Sequence, residues 1–219
     1  MIVNRYGNIY SENILIQMVD DHDLSVMDKE VEQIENLTGS KDFCLVTFKV
    51  DDWNKALSPW KAPAVFGKEA FDGKASETLE KLLDFIDKDL MRGKDKSNIH
   101  IYIGGYSLAG LFALWCAYKT DIFCGVAAAS PSVWFPGFIE YIEENEINTS
   151  CVYLSLGDKE SKTKNAVMAK VGDNILRMRD HLADVVNIKF EWNEGNHFKD
   201  AEIRTAKAFA WVIGQKNTV

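Results

Sequence analysis

The chain has 219 residues, 47% of them hydrophobic and 26% charged, a balance that fits one globular domain and argues against disorder. Its formal net charge of -8 repels phosphate backbones and anionic lipid, so nucleic acid and membrane surfaces are poor partners. No run reaches the roughly 18–20 apolar residues of a membrane span, and MIVNRYGNIYSEN lacks the apolar core of a secretory signal, so a cytoplasmic location is expected.

Apolar runs of strand length alternate with segments of helical period from residue 14 onward, which predicts a mostly parallel sheet of about six strands covered by helices on both faces. In such sheets chemistry gathers outside the carboxyl ends of the strands, so the residues that follow each strand are the ones to read. The first strand, Ile14–Val19, runs into Asp20, Asp21 and His22, with Asp23 just beyond. The helix after it places Met27, Val31 and Ile34 on one face, and Ser25 with Asp28 has the pattern of a capping box. The second strand, Phe43–Val50, is followed by Asp51 and Asp52 and by an irregular stretch to Gly73 that carries Trp53, Trp60, Phe66 and Phe71. A stretch of that length in a small domain is usually functional, and Trp53 and Trp60 are candidate walls of a substrate pocket. Ser76, Glu77 and Glu80 then suit a helix start, with Leu79, Leu83, Ile86 and Leu90 on one face.

The third strand, Ile99–Gly104, meets Ser107, and a helix begins directly after it, with Gly105 and Ala109 two positions to either side. A serine at the tip of a sharp strand-to-helix turn needs small neighbours because the backbone crowds it, and the turn lifts its hydroxyl out of the sheet. Ser107 is therefore the candidate nucleophile, and the backbone N–H of Leu108 is one candidate donor for an oxyanion. A second donor is expected from the loop after the first strand, at Asp21 or His22. The fourth strand, Phe123–Ala129, leads into SPSVWF, where Ser132, Trp134 and Phe135 could line the pocket.

Cys151–Leu156 is the fifth strand, and the GDKESKTKN after it offers two carboxylates, Glu160 and Asp158. Glu160 is favoured, because the first residues past a strand are still turning, while Asp158 stays open as the alternative acid. Val171, Ile175, Met178 and Leu182, preceded by Val167, mark the next helix, and Val186–Trp192 the last strand. His197 follows in a short glycine-containing loop before the final helix. Of the four histidines, His181 falls within a helix and His100 at the wrong end of a strand, which leaves His197 as the candidate base. The order serine, acid, histidine along the chain is one in which this chemistry occurs.

Taken together, GGYSLAG, AAASPSVWFPGF, SLGDKE, GNHF and LSPW resemble the esterase group of α/β-hydrolases that includes siderophore esterases, feruloyl-type esterases and esterase D relatives. The resemblance spans about Ile14 to the C-terminus. It implies an α/β-hydrolase fold in a single domain over residues 1–219 with minimal or no lid, Ser107 as nucleophile, His197 as base and Glu160 as acid. It also implies ester hydrolysis through an acyl-serine intermediate on a small-molecule substrate, without a cofactor or metal; a thioesterase or acyltransferase would use the same groups. The leading antiparallel strands of that group look truncated or missing, and the arginine that siderophore esterases carry near LSPW is not evident. The cysteines, Cys44, Cys116, Cys124 and Cys151, sit in apolar runs without C-x-x-C spacing, so reduced, buried thiols are expected.

Two other classes explain less of the sequence. ILIQMVDDHDLS looks like the first strand and acidic loop of a magnesium-binding receiver domain, with Asp51 or Asp52 as phosphoacceptor, but no lysine follows the strands where a receiver needs one and Ser107 goes unexplained. On the favoured reading the aspartates Asp20, Asp21, Asp23, Asp51 and Asp52 form a solvated acidic rim or a site unfavourable to anionic substrates. A non-catalytic binding protein of the same fold has nothing in the sequence to demand it. The sequence does not specify an oligomeric state.

Overall fold

The structure is a computed structural model that describes residues 2–93 and 95–215. Its strands are β1 (Val3–Gly7), β2 (Asn13–Val19), β3 (Cys44–Lys49), β4 (Lys61–Ala62), β5 (Phe71–Asp72), β6 (His100–Tyr106), β7 (Gly125–Ala129), β8 (Cys151–Gly157) and β9 (Asn187–Asn193). Its helices are α1 (Asp21–Thr38), α2 (Trp53–Ala56), α3 (Ala75–Phe85), α4 (Ser107–Ala117), α5 (Phe138–Glu144), α6 (Val171–Leu182) and α7 (Ala201–Ile213). The main sheet has seven strands in the order β1-β3-β2-β6-β7-β8-β9, all parallel from β3 to β9. The expected six strands are present, each within about two residues of its anticipated ends. A seventh, β1, was not anticipated: it pairs antiparallel on the outer side of β3, from Val3 against Phe48 to Gly7 against Cys44. VNRYG has few apolar residues to signal a strand, and an edge strand needs only one covered face.

Side chains alternate across the sheet and divide the core in two. Ile14, Ile16, Ile101, Ile103 and Val126 face the layer of α3, α4, α5 and α6. Leu15, Leu45, Tyr102, Ala127 and Tyr153 face α1 and α7, where Met27, Ile34, Phe209 and Val212 meet them. α4 is apolar all round because both its faces are covered.

Four local expectations are corrected. α1 starts earlier than Ser25: Asp20 caps it, accepting from the Asp23 N–H while the Asp23 carboxylate accepts from the Asp20 N–H, and the Ser25 hydroxyl donates to the His22 carbonyl inside the helix. The DDHD cluster supplies the same cap chemistry one turn sooner. α3 begins at Ala75, its cap position Lys74 making no side-chain cap bond, and it continues into a π-turn over Ile86–Leu90. Val167 lies outside α6 on the surface, ahead of a 3₁₀ turn at Met168–Lys170. The 51–73 stretch is not structureless: it holds α2, capped by the Asp52 side chain, and the two-stranded β4–β5 ribbon.

The chain runs from β2 outward to β3 and then returns to place β6 on the other side of β2. Successive connections therefore leave β2 and β6 in opposite directions, which opens a crevice beyond their carboxyl ends. Into that crevice point the N-terminus of α1, after β2, and the N-terminus of α4, after β6. Among the described residues no helix is long and apolar enough to cross a membrane, and no group of histidine, cysteine and carboxylate side chains is arranged to hold a metal ion. Cys44, Cys116 and Cys151 are buried, Cys124 half-buried, and all four are free thiols.

Candidate active site

Ser107 is the first residue of α4 and has φ 55°, a left-handed conformation that a serine adopts only under constraint, at a cost on the order of 1–3 kcal/mol. The turn that imposes it needs its small residues. A Cβ on Gly105 would lie 2.7 Å from the Ala109 Cβ, so the alanine sits as close as a side chain can. Ser130, at the end of β7, and Asp200, at the start of α7, also have positive φ, and with Ser107 they are the non-glycine residues so placed among those described. All three lie at the carboxyl edge of β6–β9.

Three separate connections converge there. The Ser107 Oγ lies 3.0 Å from His197 Nε2, and His197 Nδ1 lies 2.7 Å from Glu160 Oε2. The other carboxylate oxygen of Glu160 accepts from the Gly157 N–H at 2.7 Å, the Ser130 hydroxyl at 2.7 Å and Arg204 Nη1 at 3.0 Å. Burial alone would push Glu160 up, but the neighbouring His197 imidazole, the Ser130 hydroxyl and the Gly157 N–H outweigh it and hold the carboxyl below its ordinary range. Gly157 makes room for this: a Cβ there would come within 2.4 Å of the Gly195 carbonyl and 2.9 Å of Glu160 Oε1.

Asp158, the alternative acid, points elsewhere. Its Oδ1 accepts from the Gly195 N–H at 2.6 Å and so pins the base of the loop that carries His197. Tyr106, next to the serine, packs its ring 5.1 Å from the imidazole and donates its hydroxyl to the His197 carbonyl at 2.8 Å. Burial pushes that hydroxyl up to about 12, so it stays protonated as a donor.

The crevice is a cleft of about 600 Å³ lined by Asp20, His22, Asp23, Trp53, Tyr106, Ser107, Leu108 and His197, together with Asn54, Phe66, Phe198 and Ala201. His22 and Leu108 are second in α1 and α4, where a helix leaves its N–H groups without intrahelical partners. Asp21, first in α1, turns its carboxylate away to Lys49 at 2.8 Å. The expected pocket residues divide. Trp53 lines the cleft, and the Ser132 Oγ lies 3.2 Å from the Ser107 Oγ. Trp60 does not reach it: its ring packs on Phe135 and Tyr141 and its N–H donates to the Pro136 carbonyl at 2.9 Å. Trp134 is buried against Phe66 and Phe71, outside the main cleft, and lines a small separate recess with Ser130, Pro131, Glu160 and His197. Both indoles follow strands, but their neighbours, rather than their position after a strand, determine which way they face.

The acidic rim is likewise mixed. Asp51 lies exposed 3.7 Å from Lys49, and Asp52 serves as the α2 cap. Asp23 is half-buried at the cleft, and burial is the main cause that pushes its carboxyl up to about 6. Sequence reasoning gave no role to Tyr106 and Ser130, although GGYSLAG and AAASPSVWFPGF contain them, and missed Arg204 because nothing local marks it. Only the exposed Phe198, beside His197, could have been read from its position.

No family model matches the chain, and no curated protein matches it in sequence. Solved structures do match its fold. An IroE-like serine hydrolase from Shewanella oneidensis superposes with a TM-score of 0.70 at 14% identity, over 95% of this chain and 74% of that one. The siderophore hydrolase EstA from Aspergillus nidulans gives 0.65 at 16%, over 95% and 84%. A carboxylesterase from Bacillus cereus gives 0.57 at 12%, over 97% and 92%. The fold is that of the α/β-hydrolases, as the sequence resemblance implied.

Proposed function

We propose that this α/β-hydrolase-fold chain is a serine esterase of the group its motifs resemble, cleaving small carboxylic esters through an acyl-Ser107 intermediate. The observation that carries this reading is the continuous relay from the Ser107 Oγ through His197 to Glu160, with spacings of 3.0 and 2.7 Å, built from three loops distant in sequence. An ionised Glu160 fixes the imidazole with its proton on Nδ1, so Nε2 presents a lone pair to the Ser107 hydroxyl.

In the proposed reaction the Ser107 oxygen attacks the ester carbonyl as its proton passes to Nε2. The carbonyl oxygen takes up negative charge beside the Leu108 N–H and an N–H at the start of α1, from Asp21 or His22. Two helix N-termini facing one crevice favour that charge. The imidazolium then gives its proton to the departing alkoxide, and water repeats the sequence on the acyl group to free the acid and the serine. Trp53, Phe66 and Phe198 offer apolar surface to the acyl or alcohol portion. The cleft lining has acidic side chains and no lysine or arginine, which disfavours substrates with free anionic groups.

The test is turnover of a p-nitrophenyl ester panel by wild type and Ser107→Ala. The substitution is expected to lower kcat by about 10⁴-fold or more, as loss of a nucleophile does. Hydrolysis that survived it would remove the mechanism.

A further inference from the structure

The groups around the relay include one that the mechanism above does not use. Arg204, in the first turn of α7, is 2% exposed. Its Nη1 donates to Glu160 Oε1 at 3.0 Å, to the Tyr106 hydroxyl at 3.0 Å and to the Ser130 hydroxyl at 3.2 Å. Its Nη2 donates to the carbonyls of Glu194 and Asn196 at 3.0 and 3.1 Å. A buried guanidinium is tolerated only where its charge and donors are met, and the contacts here belong to the acid, to the Ser130 hydroxyl that also binds the acid, to the loop of the base, and to the residue beside the nucleophile.

We propose that Arg204 is a positioning residue of the esterase site: its planar fork holds Glu160 and the Glu194–His197 loop in one geometry, and its charge offsets that of the carboxylate. This rests on the serine-esterase reading. One nitrogen grips the acid while the other grips the two carbonyls that flank Gly195, so the distance between Glu160 and His197 is set by a single rigid group. Tyr106 extends the grip, accepting from Arg204 and donating to the His197 carbonyl. A lysine, with one nitrogen, cannot span both sides.

The charge has a separate consequence. With Arg204 present, the resting acid–base pair sits beside a balancing cation, and an extra proton would leave net positive charge in a desolvated site. Without the cation the same proton would bring the pair to neutrality, so the pair would take it up at higher pH. The other charged groups around the pair are already engaged or face the cleft. Asp158 is spent on Gly195, Lys199 pairs with Glu194, and Lys207, further along α7, pairs with Glu191. Asp23 and His22 face the cleft from α1, Tyr106 and Ser130 are neutral donors, and Asp200 opens α7.

The experiment compares kcat, KM and the pH profile of kcat/KM for wild type, Arg204→Lys and Arg204→Gln on a p-nitrophenyl ester. Arg204→Lys keeps the charge and loses the fork: kcat is expected to fall about tenfold or more with KM nearly unchanged and the acidic limb where it was. Arg204→Gln loses both: a similar or larger fall is expected, with the acidic limb moved to higher pH by about one unit. Wild-type kcat in both variants would overturn the proposal. So would a fall in kcat with no movement of the limb in Arg204→Gln, which marks a purely structural role. Should the glutamine variant fail to fold, Arg204→Lys decides alone: a fall in kcat at constant KM supports the role and unchanged kcat ends it. Absence of Ser107-dependent turnover in wild type would instead sink the esterase reading, and this proposal with it.

Discussion

Two buried glutamates, one on each side of the sheet's switch point, have opposite electrostatic fates. Glu160, beyond β8, has a side chain only 4% exposed, yet its carboxyl lies below the ordinary range. Glu30, in α1 against β2, is 2% exposed and is pushed well above it. Burial raises both. Glu160 has donors on both oxygens, from Gly157, Ser130, Arg204 and His197. Glu30 has one long bond from the Gln17 amide at 3.4 Å, while its Oε1 and the Gln17 Oε1 find no partner. The carboxylates of Asp23 and Glu202 raise Glu30 further. Whether a buried acid keeps its charge is therefore decided by the donors built around it and not by depth.

The largest effect that can test the contrast is expected from Glu160→Gln. It leaves Arg204 without its counter-charge and the imidazole without its orienting carboxylate, so kcat should fall on the order of 10³–10⁴-fold. Stability should fall by about 3–5 kcal/mol, as when one partner of a buried ion pair is removed. Asp158→Asn, measured in the same steady-state assay, should stay within about tenfold of wild type. The reverse ranking would move the acid to Asp158. Ser130→Ala removes one of the donors on Glu160, and kcat about tenfold lower is expected at a stability cost of about 1 kcal/mol in urea unfolding. An unchanged kcat would mean that the remaining donors hold Glu160 unaided.

On the other side, Glu30→Gln should be nearly neutral at pH 5, within about 1 kcal/mol. A folded-state acid raised above its unfolded value gives stability that is complete below the ordinary carboxylate range and is lost as pH rises toward the folded value. Wild type should therefore weaken relative to Glu30→Gln as pH rises above the ordinary carboxylate range, and parallel urea curves for the two proteins would refute a neutral Glu30. Glu160 has the opposite sign: the stability from its depressed carboxyl is present above the ordinary range and lost as pH falls through the folded value. The smallest effect belongs to Asp23, raised to about 6. Asp23→Asn should flatten the part of the wild-type decline that ends near pH 6, and an unaltered decline would place its cause elsewhere.

The relay was legible in the sequence because each member follows a strand of the parallel sheet, and strands of strong apolar pattern bring their following residues to one edge. Ser107 was marked by the small residues on either side of it, and His197 by elimination among four histidines and its place after the last strand. Trp60 shares the same kind of position and was misread, because what an aromatic ring packs against is set by partners such as Phe135 and Pro136. β1 was overlooked since a short edge strand carries little hydrophobic signal.

By itself the sequence determined the alternation of strands and helices, the parallel sheet and the identity of the groups that meet at its carboxyl edge. Those follow from local chain geometry and apolar periodicity, which neighbouring residues specify among themselves. Tertiary structure alone decided which of two nearby carboxylates reaches the imidazole, which tryptophan faces the cleft, and that Arg204 joins Tyr106, 98 residues away, to Glu160. Such contacts exist only once the sheet order has brought distant segments together, and the charge of a buried acid depends on them.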